Sequence, residues 1–288
     1  MLQLVTLQRQ PQRRVKETQV NTVDQVDACA FDRDMAERWH LYKPPARPSP
    51  GDTAVYESFM REPMRTLLLG STPEIRSLAR RYGHHLTAVD LDPQVYRALE
   101  RLVDSPGGEA ERFVCCDWLE MELQLKFDLV IGDGSINMLP PCRHAKFLER
   151  LAAHSKRGSL LLLRSYLLEE PRFETPDEVF ARFRDTEDDL YTATKIHLSQ
   201  LWADRETGEM SNAVFWANLQ ELHNRGVTTE DEHRELGRIL AEDTLSVYFV
   251  KRAEFEEQVA PYYVVEDILT AGDYESHEMK PILCMRRK

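Results

Sequence analysis

Three aspartates stand just past three short apolar runs, and carboxylates so placed could bind a ligand. Asp90 follows the run 86–89, Asp117 follows 112–115, and Asp133 follows 127–131. Asp90 also lies 20 residues beyond Gly70, the interval at which a strand–helix–strand unit returns an acidic side chain beside its first loop. A carboxylate there presents two acceptor oxygens, which match the vicinal hydroxyls of a ribose and oppose a phosphate. The first loop, Gly70-Ser71-Thr72-Pro73-Glu74, points the same way. It carries one glycine, where a dinucleotide-binding loop uses several to let backbone N–H groups reach a pyrophosphate. Pro73 has no N–H to donate and Glu74 repels phosphate. The loop therefore suits a nucleoside without phosphates and with cationic groups.

The elements that must position these residues follow a regular rhythm from residue 66. The run 66–69 predicts a strand, and behind its loop Ile75, Leu78, Ala79 and Tyr82 recur at i, i+3, i+4 and i+7, the face of a helix. Pro73 falls in the first turn, where its missing N–H does no harm. A strand at 86–89, a helix over 93–103 with Val95, Leu99 and Leu102 on one face, and a strand at 112–115 repeat the pattern. Strands at 127–131 and 159–163 flank a helix over 145–152. Such alternation predicts parallel strands joined by crossover helices, hence a doubly wound α/β core with ligands beyond the carboxyl ends of its strands. Two last runs, 262–268 and 281–285, are separated by Thr270-Ala271-Gly272-Asp273. They predict a C-terminal antiparallel hairpin closing a mostly parallel, seven-stranded, Rossmann-like sheet.

Around this core the texture changes. Residues 1–50 read as an N-terminal extension and connector: 1–26 are polar and unpatterned, Arg9, Arg13, Arg14 and Lys16 suit a solvated tail, and the prolines of 42–52 predict an extended strap. Residues 51–168 form the expected cofactor-binding core, 169–245 a helical insertion without strands, and 246–288 the strands that complete the sheet. Helix starts are expected at Thr175 and at Thr229, the latter leading toward Leu236, Ile239 and Leu240. The chain carries 37 Lys+Arg against 49 Asp+Glu, a net charge of −12, which argues against sequence-independent nucleic-acid binding. No apolar run approaches the ~20 residues that span a bilayer, and no secretory signal is evident, so a cytoplasmic protein without a membrane partner is expected. Five cysteines without a CxxC pair predict reduced thiols, and His84-His85 lacks the spacing of metal ligands, so no metal is expected.

Taken together, Leu67-Leu68-Leu69-Gly70-Ser71-Thr72-Pro73-Glu74, Thr87-Ala88-Val89-Asp90, Cys116-Asp117-Trp118 and Phe127-Asp128-Leu129-Val130-Ile131-Gly132-Asp133-Gly134 resemble the ordered motifs of class I S-adenosylmethionine-dependent methyltransferases. The Gly-Ser-Thr-Pro-Glu loop, with Arg47-Pro48-Ser49-Pro50 upstream, resembles a bacterial subgroup of that family. The resemblance implies S-adenosyl-L-methionine as cofactor, a ligand whose sulfonium and ammonium suit the acidic loop. It implies that Gly70, Ser71 and Thr72 meet the methionine part, Asp90 and Leu91 the ribose, and Asp117 and Trp118 the adenine, with Asp133 and Gly134 lining the methionine site. The loop departs from the family pattern at Thr72 and Glu74, where further glycines are usual. In-line methyl transfer to a small-molecule acceptor is the implied reaction, with Asp133 and His144 as candidate general bases and Tyr42, Arg47, Trp202 and Trp216 as candidate acceptor contacts. Two alternatives stay open. A catalytically inactive cofactor-binding regulator or partner subunit would have no acceptor pocket, and an aminopropyl transferase on the same fold would need carboxylates arranged for a polyamine.

Overall fold

A computed structural model describes residues 39–104, 110–186, 190–237 and 245–288. The N-terminal tail with its four basic residues, Cys29, and the end of the helix expected through Ile239 and Leu240 lie outside the described residues. Strand β1 (Arg65–Leu69) is buried along all but its first residue, the continuous apolar run that a parallel strand needs when both sheet faces are covered. Its side chains divide by the two-residue period. Leu67 and Leu69 join one apolar cluster with α4 (His144–His154) and α9 (Arg252–Val259), whereas Leu68 joins another with α1 (Pro50–Phe59) and α2 (Pro73–Arg81). Helix α3 (Pro93–Leu99) runs on into a 3-10 turn at Glu100–Leu102, shorter than the single helix expected over 93–103.

The remaining core strands are β2 (His85–Asp90), β3 (Glu111–Cys115), β4 (Phe127–Asp133), β5 (Ser155–Arg164), β8 (Tyr263–Leu269) and β9 (Ile282–Arg287). They form a seven-stranded sheet in the order β3-β2-β1-β4-β5-β9-β8. The first five are parallel, and β9 runs antiparallel to both its neighbours, as the terminal hairpin predicted. Because β1 bonds to both β2 and β4, the strand order reverses between β1 and β4. That reversal opens a crevice at their carboxyl ends.

Three elements depart from the sequence expectation. The proline-rich strap ends at Ser49, whose side chain accepts from the Asp52 N–H while Asp52 accepts from the Ser49 N–H, a reciprocal cap that starts α1 with Pro50 in its first turn. The insertion is not purely helical: β6 (Glu209–Ser211) pairs antiparallel with β7 (Ser246–Tyr248). Residues 246–248 thus extend the insertion and not the core sheet. Helix α9 follows, in a stretch where only strands were expected. The insertion's helices are α5 (Pro176–Phe183), α6 (Leu190–Trp202), α7 (Asn212–Asn224) and α8 (Glu230–Gly237), and they share an apolar cluster built on Phe180, Phe183, Tyr191 and Phe215. No helix among the described residues is long and apolar enough to cross a membrane.

Candidate functional site

The loop after β1 turns at Gly70, whose φ of +102° favours glycine. Its N–H donates to the Val89 carbonyl at 2.9 Å, tying the loop to β2. Ser71 then donates its hydroxyl to Asp90 Oδ2 at 2.8 Å. The other oxygen, Oδ1, has a long 3.4 Å contact from the Asp92 N–H. Burial raises the Asp90 carboxyl above its usual value, with the Ser71 hydroxyl opposing that shift. Asp90 is therefore an oriented acceptor with capacity left on both oxygens. Leu91, beside it, is 68% exposed, an apolar side chain at the same sheet edge.

At the next strand end, Asp117 Oδ1 accepts from the Leu119 N–H at 2.9 Å. Trp118 folds back so that its indole N–H donates to the Val89 carbonyl at 2.7 Å, and its ring packs near Phe147. The structure thus ties Ser71 to Asp90 directly and Gly70 and Trp118 to each other through the Val89 carbonyl, and Asp117 sits on the adjoining strand end. Thr72 is buried at the start of α2 and makes no side-chain cap there.

Glu74 tests whether the loop fits a ligand with a cationic group. Its Oε1 accepts from the Trp39 indole at 3.2 Å, while its Oε2 is buried without a hydrogen-bond partner. Burial raises its carboxyl, its own N–H and the Trp39 indole opposing. A buried acceptor oxygen with no donor, on the loop that precedes the Asp90 edge, fits an ammonium and would reject a phosphate.

Across the crevice Asp133 is held by Arg164, which is fully buried: Nε to Oδ1 at 2.7 Å and Nη2 to Oδ2 at 3.3 Å. The same guanidinium donates to Asp52 Oδ2 at 2.7 Å and to the Pro45 carbonyl at 3.3 Å. Lys280 completes the group, with Nζ 2.9 Å from the Pro45 carbonyl, 3.7 Å from Asp133 Oδ1 and 4.2 Å from the Tyr166 ring centroid. Burial lowers Lys280 to about 7, reinforced by Arg164 and opposed by the two aspartates. Burial alone would raise Asp133, but Arg164 and Lys280 outweigh it and hold the carboxyl below its usual range. A carboxylate so paired is a poor proton acceptor, which weighs against a general base at Asp133. Arg164, bonded to Asp52 and to the Pro45 carbonyl, anchors α1 and the strap to the sheet edge.

A cavity of about 400 Å³ lies between this edge and the insertion. Asp133 and Gly134 form part of its wall, with aromatic surface from Trp39, Tyr42, Tyr166, Phe215 and Phe249 and polar groups from Lys195, Ser199 and Lys280. Asn137 clips the wall together: Nδ2 donates to the carbonyls of Tyr166 at 3.0 Å and Tyr248 at 2.7 Å, and Oδ1 accepts from the Tyr166 N–H at 2.9 Å. Of the expected acceptor contacts, Tyr42 reaches this wall.

The others are placed elsewhere. Arg47 Nη1 donates to the Trp39 carbonyl at 3.3 Å. Trp202 packs edge-on against Phe215 at 4.9 Å, and Trp216 lies over His233 at 5.1 Å and against Gly237, where an added Cβ would come within 2.2 Å of the indole. Both tryptophans build the insertion's own core. His144 is buried with Nε2 2.8 Å from the Leu139 carbonyl, away from the cavity wall, and burial lowers its pKa. Its place outside the cavity lining weighs against His144 as the base. Sequence reasoning missed Arg164, Lys280 and Lys195. Arg164 had a signal, since it ends the run Leu160-Leu161-Leu162-Leu163 and must be buried with it. The two lysines had none.

No family model and no curated protein matches the sequence. The fold does recur among solved structures. The CcbJ methyltransferase from Streptomyces caelestis is similar with a TM-score of 0.57 at 11% identity, over 91% of this chain and 99% of that one. The glycopeptide N-methyltransferase MtfA, complexed with S-adenosyl-L-homocysteine, gives 0.52 at 14% identity over 82% and 88% of the two chains. The Burkholderia thailandensis 1,6-didemethyltoxoflavin-N1-methyltransferase, with bound 1,6-didemethyltoxoflavin and S-adenosylhomocysteine, gives 0.50 at 14% over 90% and 87%. The seven-stranded, mostly parallel sheet with its antiparallel C-terminal part is a methyltransferase-like fold.

Proposed function

We propose that the protein is an S-adenosyl-L-methionine-dependent methyltransferase acting on a small-molecule acceptor held in the cavity. The observation that carries this reading is the wall at Asp133 and Gly134. Asp133 ends β4 and Gly134 follows it at the strand reversal, so the cavity wall includes the strand end next to the one that Gly70 and Ser71 follow. A cavity of about 400 Å³ is on the scale of small-molecule sites, which favours an enzyme over an inactive binding partner. Two lysines and a carboxylate tied to Arg164 are the charged groups of its described wall, the wrong electrostatics for a polyamine.

In this reading Gly70, Ser71 and Thr72 hold the methionine part, and Glu74 accepts from its ammonium. Asp90, oriented by Ser71, accepts from the ribose hydroxyls. Asp117 accepts from the adenine amine between Leu91 and Trp118. The bound cofactor supplies a methyl group on a sulfonium. This chain's part is then to align two reactants and to exclude water, which the aromatic wall beneath the insertion does. Calorimetry with S-adenosylhomocysteine, followed by transfer of labelled methyl into a metabolite extract, tests the proposal. Micromolar binding and a labelled product are expected. Absence of heat and of thermal shift, or equal affinity for NAD, would sink it.

A further inference from the structure

Helix α6 carries the residues Leu190-Tyr191-Thr192-Ala193-Thr194-Lys195-Ile196-His197-Leu198-Ser199-Gln200-Leu201-Trp202. Its one residue of fixed charge is Lys195, since His197 is buried and lowered to about 4, burial first and Arg172 second. A lysine on a helix otherwise given to packing is a costly choice, because its ammonium must leave bulk water in part. Here the residue lines the cavity. Nζ donates to the Tyr191 hydroxyl at 2.7 Å and lies 5.0 Å from the Tyr191 ring and 5.9 Å from the Phe215 ring. Neutral groups fill those contacts. Among the described residues Lys195 has no carboxylate partner.

The other charged groups of the described wall pair with one another. Asp52, Asp133, Arg164 and Lys280 form a buried set of two carboxyl and two basic groups. Asp133, the carboxylate in the cavity wall, is thereby spent on Arg164 and Lys280. Among the described residues Lys195 is left as the charge of the cavity wall without an opposite partner, a positive one in a chain of net charge −12. Around it the wall is aromatic: Tyr166 and Phe249 stack at 5.3 Å, and Trp39 and Tyr42 face the same space. Flat apolar surface suits a planar ring, and a half-buried ammonium without a counter-ion suits an anionic oxygen through a charge-assisted hydrogen bond.

We infer that the acceptor is a planar aromatic molecule bearing an anionic oxygen, a carboxylate or an acidic ring hydroxyl, that pairs with Lys195 in the cavity. This rests on the cavity being the acceptor site of the proposed methyltransferase, and it narrows the substrate class. The test uses the full chain and three naphthalene probes of one shape: 2-naphthoate, neutral 2-naphthamide and 2-naphthylmethylammonium. Calorimetry should show 2-naphthoate bound about tenfold tighter than the amide, the scale of one hydrogen bond to a charged group. The ammonium probe should bind weakest. Lys195→Met should abolish the preference for the anion and leave the amide within about twofold, while Lys195→Arg retains it. Thermal melting checks that each variant folds, and the wild-type preference stands as a test without any variant. Failure of 2-naphthoate to bind, equal or tighter binding of the ammonium probe, or equal losses for anion and amide in Lys195→Met would overturn the inference. S-adenosylhomocysteine titrated into the same samples separates the two readings. Binding of that ligand without anion preference overturns the substrate class alone, and anion preference without it keeps Lys195 as an anion-binding group but overturns the methyltransferase reading and with it the acceptor assignment.

Discussion

Replacing Asp90 by alanine removes the acceptor that the proposal assigns to the ribose, and the structure sets the size of the effect. Oδ2 already accepts from Ser71 at 2.8 Å, and Oδ1 has a 3.4 Å backbone contact, so each oxygen can take one more donor. A hydrogen bond to a charged group contributes about 1.5–3 kcal/mol. Two such bonds would exceed that range, but burial already disfavours the ionised carboxyl, which reduces the sum. A loss of about 1.5–3 kcal/mol, or roughly 10- to 150-fold in Kd for S-adenosylhomocysteine, is expected. Stability should move the other way. A raised carboxyl contributes stability below its unfolded value and loses it as pH rises through the folded value. At neutral pH, removing the charge therefore should not lower the melting temperature. Ser71→Ala should cost less, about 0.5–1.5 kcal/mol. Without that hydroxyl the Asp90 pKa rises further, so binding by the variant should fall off at a higher pH than binding by the wild type. Calorimetry at neutral and mildly acidic pH, paired with thermal melts, measures all three effects. Binding by Asp90→Ala within about twofold of wild type, or a larger loss in Ser71→Ala than in Asp90→Ala, would refute the reasoning.

Other substitutions separate the roles further. Glu74→Gln should weaken S-adenosylhomocysteine about tenfold and leave 5′-methylthioadenosine, which has no ammonium, nearly unchanged; equal losses for both ligands would count against Glu74 as the ammonium acceptor. Asp117→Asn should weaken S-adenosylhomocysteine by roughly fivefold with an unchanged melting temperature, and normal affinity in that variant would leave Asp117 only its bond from the Leu119 N–H. His197 is held at about 4 against an ordinary 6.5, so the unfolded chain takes up its proton first as pH falls. The stability it contributes is complete above pH 6.5 and drains as pH falls toward about 4. Urea unfolding should show about 2 kcal/mol lost between roughly pH 7 and pH 5 in the wild type and missing in His197→Gln; identical pH profiles would show that the histidine does not carry the effect.

The carboxylates at the carboxyl edge of the sheet were legible because they are positioned by local rules. A period of 3.6 after a period of 2 marks where each strand ends, and the residue just past it must emerge at the carboxyl edge. That reasoning reached Gly70, Asp90 and Asp117 without knowing which strands are neighbours. Helix α1 was legible too, in the Ser49-Pro50-Gly51-Asp52 cap, but the count of prolines around it pointed to a strap. Strands β6 and β7 were not legible: three residues each cannot establish an alternation, and they pair only because the two ends of the insertion meet.

What only the tertiary structure decided is which distant side chains share a space. Asp133 follows its strand as the sequence implied, yet its chemistry is set by Arg164 from the next strand and Lys280 from the last hairpin. Asp52 and Arg164 stand 112 residues apart and meet because α1 packs on the sheet through Tyr56. Trp202 and Trp216 looked like pocket residues by size, but size does not tell which side of a helix faces a cavity and which faces the insertion's own core. The same ambiguity hid Lys195, an ordinary surface lysine by sequence, whose ammonium the packing of α6 turns into an aromatic cavity. Backbone periodicity is a local property and survives in the sequence. Charge pairing and cavity walls depend on strand order and helix rotation, which the whole chain settles at once through the burial of its apolar faces.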